Sequence, residues 1–300
     1  MLDFRAIAGA LSLDPDRLRV TPLTGGVSSD VFLLEEGKAR FVAKRSIPQL
    51  RVAEHWPCDP SRIWREVDAL RLLAPVCAVP QVVYEDRAEY LYVMTAAPAD
   101  AEPWKTHLLR GDASLQVARR VGQIHAAMLA QSGFDDLGFF EELRIDPYYT
   151  FTATRHPDLA WAFERGTRAC RENRWGLVHG DWSPKNIMVG GDAFPLALDF
   201  ECVHYGDPSY DAAFLLNHLL LKTFYRPASA AAYRDCALAY WEPLQQIGFA
   251  GVMIHLPLLM LARMDGKSPV DYLAGREPVR TLARRWLTAP PDSVNGLWVQ

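Results

Sequence analysis

The chain has 300 residues, 50% of them hydrophobic and 23% charged, with 32 basic against 36 acidic side chains and a net charge of −4. That is ordinary globular material with enough apolar residues for a sizeable core, so collagen-like, disordered and small disulfide-scaffold classes are excluded. The mildly acidic balance leaves no footprint for nucleic acid or an anionic membrane surface, and neither is expected as a partner.

The first residues, Met1-Leu2-Asp3-Phe4-Arg5, lack the basic start and apolar run of a secretory signal. Residues 1–19 read as a short helix, its last piece opened by the cap and first-turn proline of Asp14-Pro15. Thr24 to Ser29 is a turn. Val31-Phe32-Leu33-Leu34 and Phe41-Val42-Ala43 are strand-like runs on either side of Glu36-Gly37. Asp59-Pro60 opens a helix on which Ile63, Val67, Leu70 and Leu73 recur at helical spacing. Two more strands are predicted at 79–84 and 90–95, which makes residues 1–95 a mainly β region with one inserted helix. A polar, helix-poor link follows at 96–100.

Beyond it the helical period dominates. Leu115 to Leu129 places Ala118, Val121, Ile124, His125 and Met128 on one face. Further helices are predicted near 158–173, 209–224, 228–246 and 249–264. The last carries the longest apolar stretch, Phe249 to Ala262, interrupted by His255 and Pro257. It falls short of the roughly 20 residues needed to cross a bilayer and reads as a buried core helix. Cys58, Cys77, Cys170, Cys202 and Cys236 are odd in number and scattered without a C-x-x-C pair, which points away from a metal knuckle and towards a reducing, cytoplasmic setting.

One strand-turn-strand island, Leu177 to Phe200, interrupts the helical half and carries the chemistry. Asp181 and Asn186 stand on a tight loop that Pro184 keeps irregular, and the short run Leu196-Ala197-Leu198 delivers Asp199 to the same place. A carboxylate to orient an attacking hydroxyl, with oxygen ligands for Mg²⁺ on nucleotide phosphates, is the set that phosphoryl transfer requires.

Val178-His179-Gly180-Asp181-Trp182-Ser183-Pro184-Lys185-Asn186 resembles the H-G-D-x-x-x-x-N loop of the aminoglycoside phosphotransferase and choline kinase superfamily. These are small-molecule kinases with the protein-kinase-like fold. Other pieces fall in the same order. The Thr24–Ser29 turn resembles the nucleotide loop and Val42-Ala43-Lys44 the strand lysine. Glu66 stands on the next helix, Leu198-Asp199-Phe200-Glu201 resembles the metal-binding segment, and Gly206 to Asp211 the following helix start. The resemblance implies an α+β, two-lobed fold. Residues 1–95 would be the nucleotide-binding lobe, 96–100 the hinge, and 101–300 a helical lobe with the catalytic loop and acceptor pocket.

It further implies ATP and Mg²⁺ as cofactors and, as acceptor, a hydroxyl of a small molecule: a sugar, an amino alcohol or an aminoglycoside-like compound. Asp181 would be the catalytic carboxylate, and Asn186 and Asp199 would hold the metal. Gly25, Gly26, Ser28, Ser29, Lys44, Glu66, Thr95 and Ala96 would bind the nucleotide. Glu201, Ser183 and Lys185 are possible metal or phosphate contacts. Only twelve positions separate Asp199 from Asp211, too few for the activation segment of protein kinases, so a protein substrate is not expected. A catalytically silent nucleotide-binding protein is the alternative, opposed by the presence of Lys44, Asp181, Asn186 and Asp199 together.

Some residues have structural explanations. His179 braces the loop, Asp207 caps a helix, buried Asp211 links to the catalytic-loop backbone, and His125 belongs to the core. After the last apolar helix, Gly266 is expected to end it in a left-handed turn, with Ser268, Pro269 and Asp271 opening another. Arg263, Asp265 and Lys267 remain as possible substrate residues. The acidic run Asp135-Asp136, Glu141-Glu142 and Asp146, together with Arg144-Ile145-Asp146-Pro147-Tyr148-Tyr149, is a second candidate rim. Residues 151–300 balance 15 basic against 15 acidic side chains, so bulk charge does not favour a polycationic acceptor.

Overall fold

The computed structural model describes residues 2–23, 26–52, 55–190 and 193–298. Helix α1 (Phe4–Ala10) is N-capped by the Asp3 carboxylate, which accepts from the N–H groups of Arg5 and Ala6. It is shorter than the sequence suggests. Ser12 at φ +58 ends it, and Asp14 Oδ1 accepts from the Asp16 N–H at 3.0 Å, a local turn that competes with the helix predicted there.

An antiparallel five-stranded sheet follows, ordered β1-β2-β3-β5-β4, from β1 (Arg19–Pro22), β2 (Ser29–Glu36), β3 (Ala39–Ser46), β4 (Val82–Asp86) and β5 (Leu91–Thr95). Gly37 takes φ +59 in the turn between β2 and β3, a conformation that glycine adopts freely. The strands predicted at 31–34 and 41–43 are present and longer, whereas those predicted at 79–84 and 90–95 are observed as the shorter β4 and β5. Strand β1, unread in the sequence, is a mostly exposed edge containing Pro22. Helix α2 (Arg62–Leu73) begins after the Asp59-Pro60-Ser61 turn and buries Ile63, Val67, Leu70 and Leu73.

The C-terminal region is mainly helical. Strand β6 (Glu102–Pro103) leads into α3 (Trp104–Arg110), which packs against the turn Pro184–Asn186. Helix α4 (Leu115–Leu129) buries the apolar face expected of it. Helices α5 (Gly138–Phe140) and α6 (Phe151–Arg155) flank a π-helical stretch, Glu141–Thr150, with Pro147 inside it. Pro147 has no N–H to give a regular ladder. Glu141, Glu142 and Asp146 of the second candidate rim therefore lie on a helical wall, while Asp135 and Asp136 precede it. Helix α7 (Ala160–Glu172) precedes the catalytic island.

The island has more strands than predicted. β7 (Gly176–Val178) pairs with β10 (His204–Gly206), while β8 (Ile187–Gly190) lies between β6 and β9 (Ala193–Ala197). Helix α8 (Ser209–Tyr225) is buried from Ser209 to Lys222 and packs on α9 (Ala230–Trp241) and α10 (Phe249–Asp265). Two expectations fail after α10. Gly266 sits at φ −79 in an extended conformation; it is needed because a Cβ there would lie 2.5 Å from the Ala262 carbonyl oxygen. No helix opens at Ser268-Pro269, and α11 (Glu277–Thr288) starts later with its own first-turn proline. Among the described residues no helix is long and apolar enough to cross a membrane, and the five cysteines are free thiols.

Candidate active site

Strand β3 carries Lys44 inward, where its Nζ meets Glu66 Oε2 of α2 at 2.6 Å and Asp199 Oδ1 at 2.7 Å. Burial works against the ammonium, but the carboxylates of Asp199 and Glu66 outweigh it and hold the pKa well above the ordinary lysine range. Burial also acts on Asp199, yet Lys44 and Lys185 hold its carboxyl below the usual carboxylate range. Asp199 takes φ +69, an uncommon conformation for a side-chain-bearing residue.

The catalytic loop is braced from below. Asp211 of α8 accepts from the His179 and Gly180 N–H groups. His179 Nδ1 accepts from the Asp181 N–H at 3.1 Å, and its Nε2 lies 2.9 Å from the Leu198 carbonyl oxygen. Burial pushes the His179 imidazole down to about 4, so the ring is neutral and positional, with Nε2 as donor. Gly180 takes φ +79, and a Cβ there would lie 2.7 Å from the Cys202 Cβ.

Asp181 is 2% exposed. Its Oδ2 receives Arg144 Nη2 at 2.8 Å, Lys185 Nζ at 2.9 Å and Asn186 Nδ2 at 2.9 Å. Against the upward pull of burial, Arg144 and Lys185 keep this carboxyl below the usual range. Oδ1 takes no hydrogen bond from the described residues, which leaves it for a ligand hydroxyl. An anion so well stabilised is a weak base.

The remaining sequence candidates divide. Ser183 Oγ is buried without a partner beside the loop, as is Ser29 Oγ near the other wall, among the described residues. Gly26 makes a close approach to the Ser29 carbonyl; Gly25 lies outside the described residues. The N–H groups of Thr95 and Ala96 already donate to the carbonyls of Gln81 and Arg40. Glu201 is turned to Arg62, whose Nε lies 3.0 Å from its Oε2. Arg263 donates to Tyr148 Oη at 3.1 Å, and Lys267 stands over Trp56 and Phe151. Asp265 is apart from both, taken up by Arg280 at 2.5 Å and His156 at 2.9 Å.

Three of the five acids in the run are occupied by arginines. Asp136 pairs with Arg65, Asp135 with Arg174 and Glu141 with Arg171. Two further residues join the site, Arg144 from the second candidate rim and Arg62, which no motif marks. The first comes from the π-helical wall and also donates to the Gly180 carbonyl at 2.8 Å.

The donor chemistry fits a divalent cation. Asn186 spends Nδ2 on Asp181, so its amide oxygen is the free end, and Asp199 keeps one carboxylate oxygen beyond the Lys44 contact. Hard oxygens, few of them carboxylates, are what Mg²⁺ takes from a protein.

The chain matches the phosphotransferase enzyme family over residues 19–247. No curated protein matches it. Similar solved structures include an aminoglycoside-3'-phosphotransferase of type VIII, at 17% identity and TM-score 0.59 over 86% of this chain and 97% of that one. The amicoumacin kinase hAmiN, in complex with AMP-PNP, Ca²⁺ and Ami, has 17% identity and TM-score 0.59 over 99% and 97%. The aminoglycoside phosphotransferase APH(4)-Ia, in ternary complex with AMP-PNP and hygromycin B, has 16% identity and TM-score 0.57 over 97% and 98%. The chain belongs to the phosphotransferase enzyme family, a phosphate-transferring enzyme with the fold of small-molecule kinases.

Proposed function

We propose that the enzyme transfers the γ-phosphoryl group of ATP, with Mg²⁺, to a hydroxyl of a small molecule. The observation that carries this is the buried Asp181, its one oxygen saturated by Arg144, Lys185 and Asn186 and its other left for a ligand. The bond from the γ-phosphorus to the β-γ bridging oxygen breaks, a bond to the acceptor oxygen forms, and the hydroxyl proton passes to Asp181 and on to solvent. ADP and a phosphate monoester leave.

Each residue has a part in that transfer. Lys44, fixed by Glu66, meets the α- and β-phosphates. The Gly26–Ser29 loop brings backbone amides to the triphosphate. Asn186 and Asp199 would hold Mg²⁺, which neutralises phosphate charge when bound. Lys185 is set beside Asp181 to follow the moving phosphoryl group, with Ser183 as a hydroxyl contact. The nucleotide would sit between residues 1–95 and 101–300, with its adenine against the 96–100 link. Most of the rate then comes from positioning and charge neutralisation. The nucleotide complexes of hAmiN and APH(4)-Ia support this reading.

Calorimetric titration with AMP-PNP, with and without Mg²⁺, tests the nucleotide half, and ATP consumption on a panel of hydroxyl compounds tests the transfer. Mg²⁺-dependent binding and acceptor-dependent ADP release are the expected results. No affinity for AMP-PNP ends the proposal.

A further inference from the structure

Beside the catalytic carboxylate lies a group of cations whose anionic partner is missing. Lys222 of α8 is wholly buried, and its Nζ has one acceptor, the His218 carbonyl of its own helix at 3.2 Å. It shares the Tyr272 ring with Lys105 of α3, the two ammoniums lying 5.6 Å and 5.9 Å from the centroid. Arg263 of α10 completes the group, its Nη1 donating to the carbonyl and Oγ of Ser268 and to Tyr148 Oη. Its Nε and the Tyr272 hydroxyl are buried without hydrogen-bond partners among the described residues. Among the described residues the carboxylate in contact is Asp271, 3.5 Å from Lys105, with its side chain 80% exposed. Burial, and then the charges of Lys105 and Arg263, push the Lys222 ammonium down to about 7. Three cations facing one solvated carboxylate form an arrangement that costs free energy until an anion arrives.

The group flanks the reacting oxygen. Helix α3, which carries Lys105, packs on the Pro184–Asn186 turn of the catalytic loop. Arg263 reaches Tyr148 Oη at 3.1 Å, and the Tyr148 ring lies 5.7 Å from the guanidinium of Arg144, which holds Asp181. On α8, His218 precedes Lys222 by one turn, and the charge of Lys185, bonded to Asp181, reaches it. Lys105 and Arg263 thus lie on elements that pack on the Asp181 loop or reach it through Tyr148.

We infer that the acceptor is a hydroxyl compound carrying an anionic group, a carboxylate or a phosphate, seated against Lys105, Lys222 and Arg263. This rests on Asp181 being the hydroxyl-orienting residue. Three of the acids that a polycation would use, Asp135, Asp136 and Glu141, are engaged by arginines elsewhere.

The test is binding, measured by calorimetry and thermal shift with the nucleotide site filled by AMP-PNP and Mg²⁺. D-glycerate and inorganic phosphate, as carboxylate and phosphate probes, are compared with neutral glycerol and polycationic kanamycin. Either anion is expected to bind and to raise the unfolding midpoint, and its identity tells carboxylate from phosphate. Glycerol and kanamycin are expected to do neither. Lys222→Met, close in shape, should weaken the anion at least about tenfold, raise the midpoint of the unliganded enzyme by removing an unpaired buried cation, and leave AMP-PNP affinity unchanged. Lys105→Gln, at the exposed rim, should weaken the anion in the same direction. Kanamycin or glycerol binding in place of the anions overturns the inference. So do undiminished anion affinity in both variants and no binding by either anion. Failure of AMP-PNP to bind would instead strike the kinase assignment, and the anion titration is then read without nucleotide.

Discussion

Arg62 and Glu201 stand 139 positions apart in sequence and meet at 3.0 Å, with side chains 0% and 6% exposed. Arg62 also donates to the carbonyls of Ser28, Ile47, Cys58 and Asp59. One guanidinium thus ties the nucleotide loop, the end of β3 and the approach to α2 to the segment bearing Asp199. Glu201, a possible metal contact by sequence, has an oxygen committed to this pair. Removing one partner leaves a buried charge alone, so Arg62→Met should lose about 3–5 kcal/mol of stability. The same variant should raise KM for ATP by more than it lowers kcat, because the loop backbone at Ser28 loses its anchor. Replacing both partners by apolar residues should cost less than the sum of the single changes. Urea unfolding and ATP titrations check each statement, and an additive double variant would remove the coupling.

For Asp181→Asn the expected outcome is a fall in kcat of about 10²–10⁴, with AMP-PNP affinity retained. The amide still accepts through one oxygen but no longer neutralises Arg144 and Lys185. Steady-state turnover and a nucleotide titration on the same sample separate the two effects. Wild-type turnover would remove Asp181 from the chemistry.

In Asp199→Ala, nucleotide affinities measured with Mg²⁺ and with a chelator should converge, since one of the two oxygen ligands is gone. Lys44 retains Glu66 at 2.6 Å, so affinity without metal should persist. A surviving Mg²⁺ enhancement would place the metal on other ligands.

His125, His204 and His218 give the fold an acid limit. Burial holds their imidazoles below the ordinary pKa, at about 3 for His125, about 4 for His204 and well below it for His218. In the unfolded chain they titrate near about 6.5. Between those values the unfolded chain binds protons that the folded one refuses, so stability is full above about pH 6.5 and falls as pH drops. Each contributes a slope of up to about 1.4 kcal/mol per pH unit. Unfolding free energies at a series of pH values from about 7 to 5 should show this decline, shallower in His204→Gln. A flat profile contradicts it.

Long periodic runs made most of the helical region legible. α4, α8 and α10 bury the faces that their sequences display, and the order of motif residues locates Lys44, Glu66, Asp181, Asn186 and Asp199 around one space. The rest depends on distance along the chain. Helix α3 has seven residues, too few for a period to show, and its place is set by packing on the catalytic loop. Pro147 suggests an interruption where the chain forms a π-helix instead. Arg62 carries no local signal, and Arg144 is marked only as part of a candidate rim, because their partners, Glu201 and Asp181, are brought to them only by the fold. Asp265 shows the converse. It lies two residues from Arg263 yet is drawn to Arg280 and His156 on another face of α10.

The left-handed backbone of Asp199 has an evolutionary consequence. A side-chain-bearing residue at φ +69 costs roughly 1–2 kcal/mol against an ordinary conformation, and asparagine and glycine are the residues that tolerate it best. Both are one nucleotide change away from an aspartate codon. The substitutions that abolish the acidic oxygen at this position are therefore also those that the backbone resists least. On the proposed function, Asp199→Asn and Asp199→Gly are therefore inactivating changes that would leave the backbone here less strained.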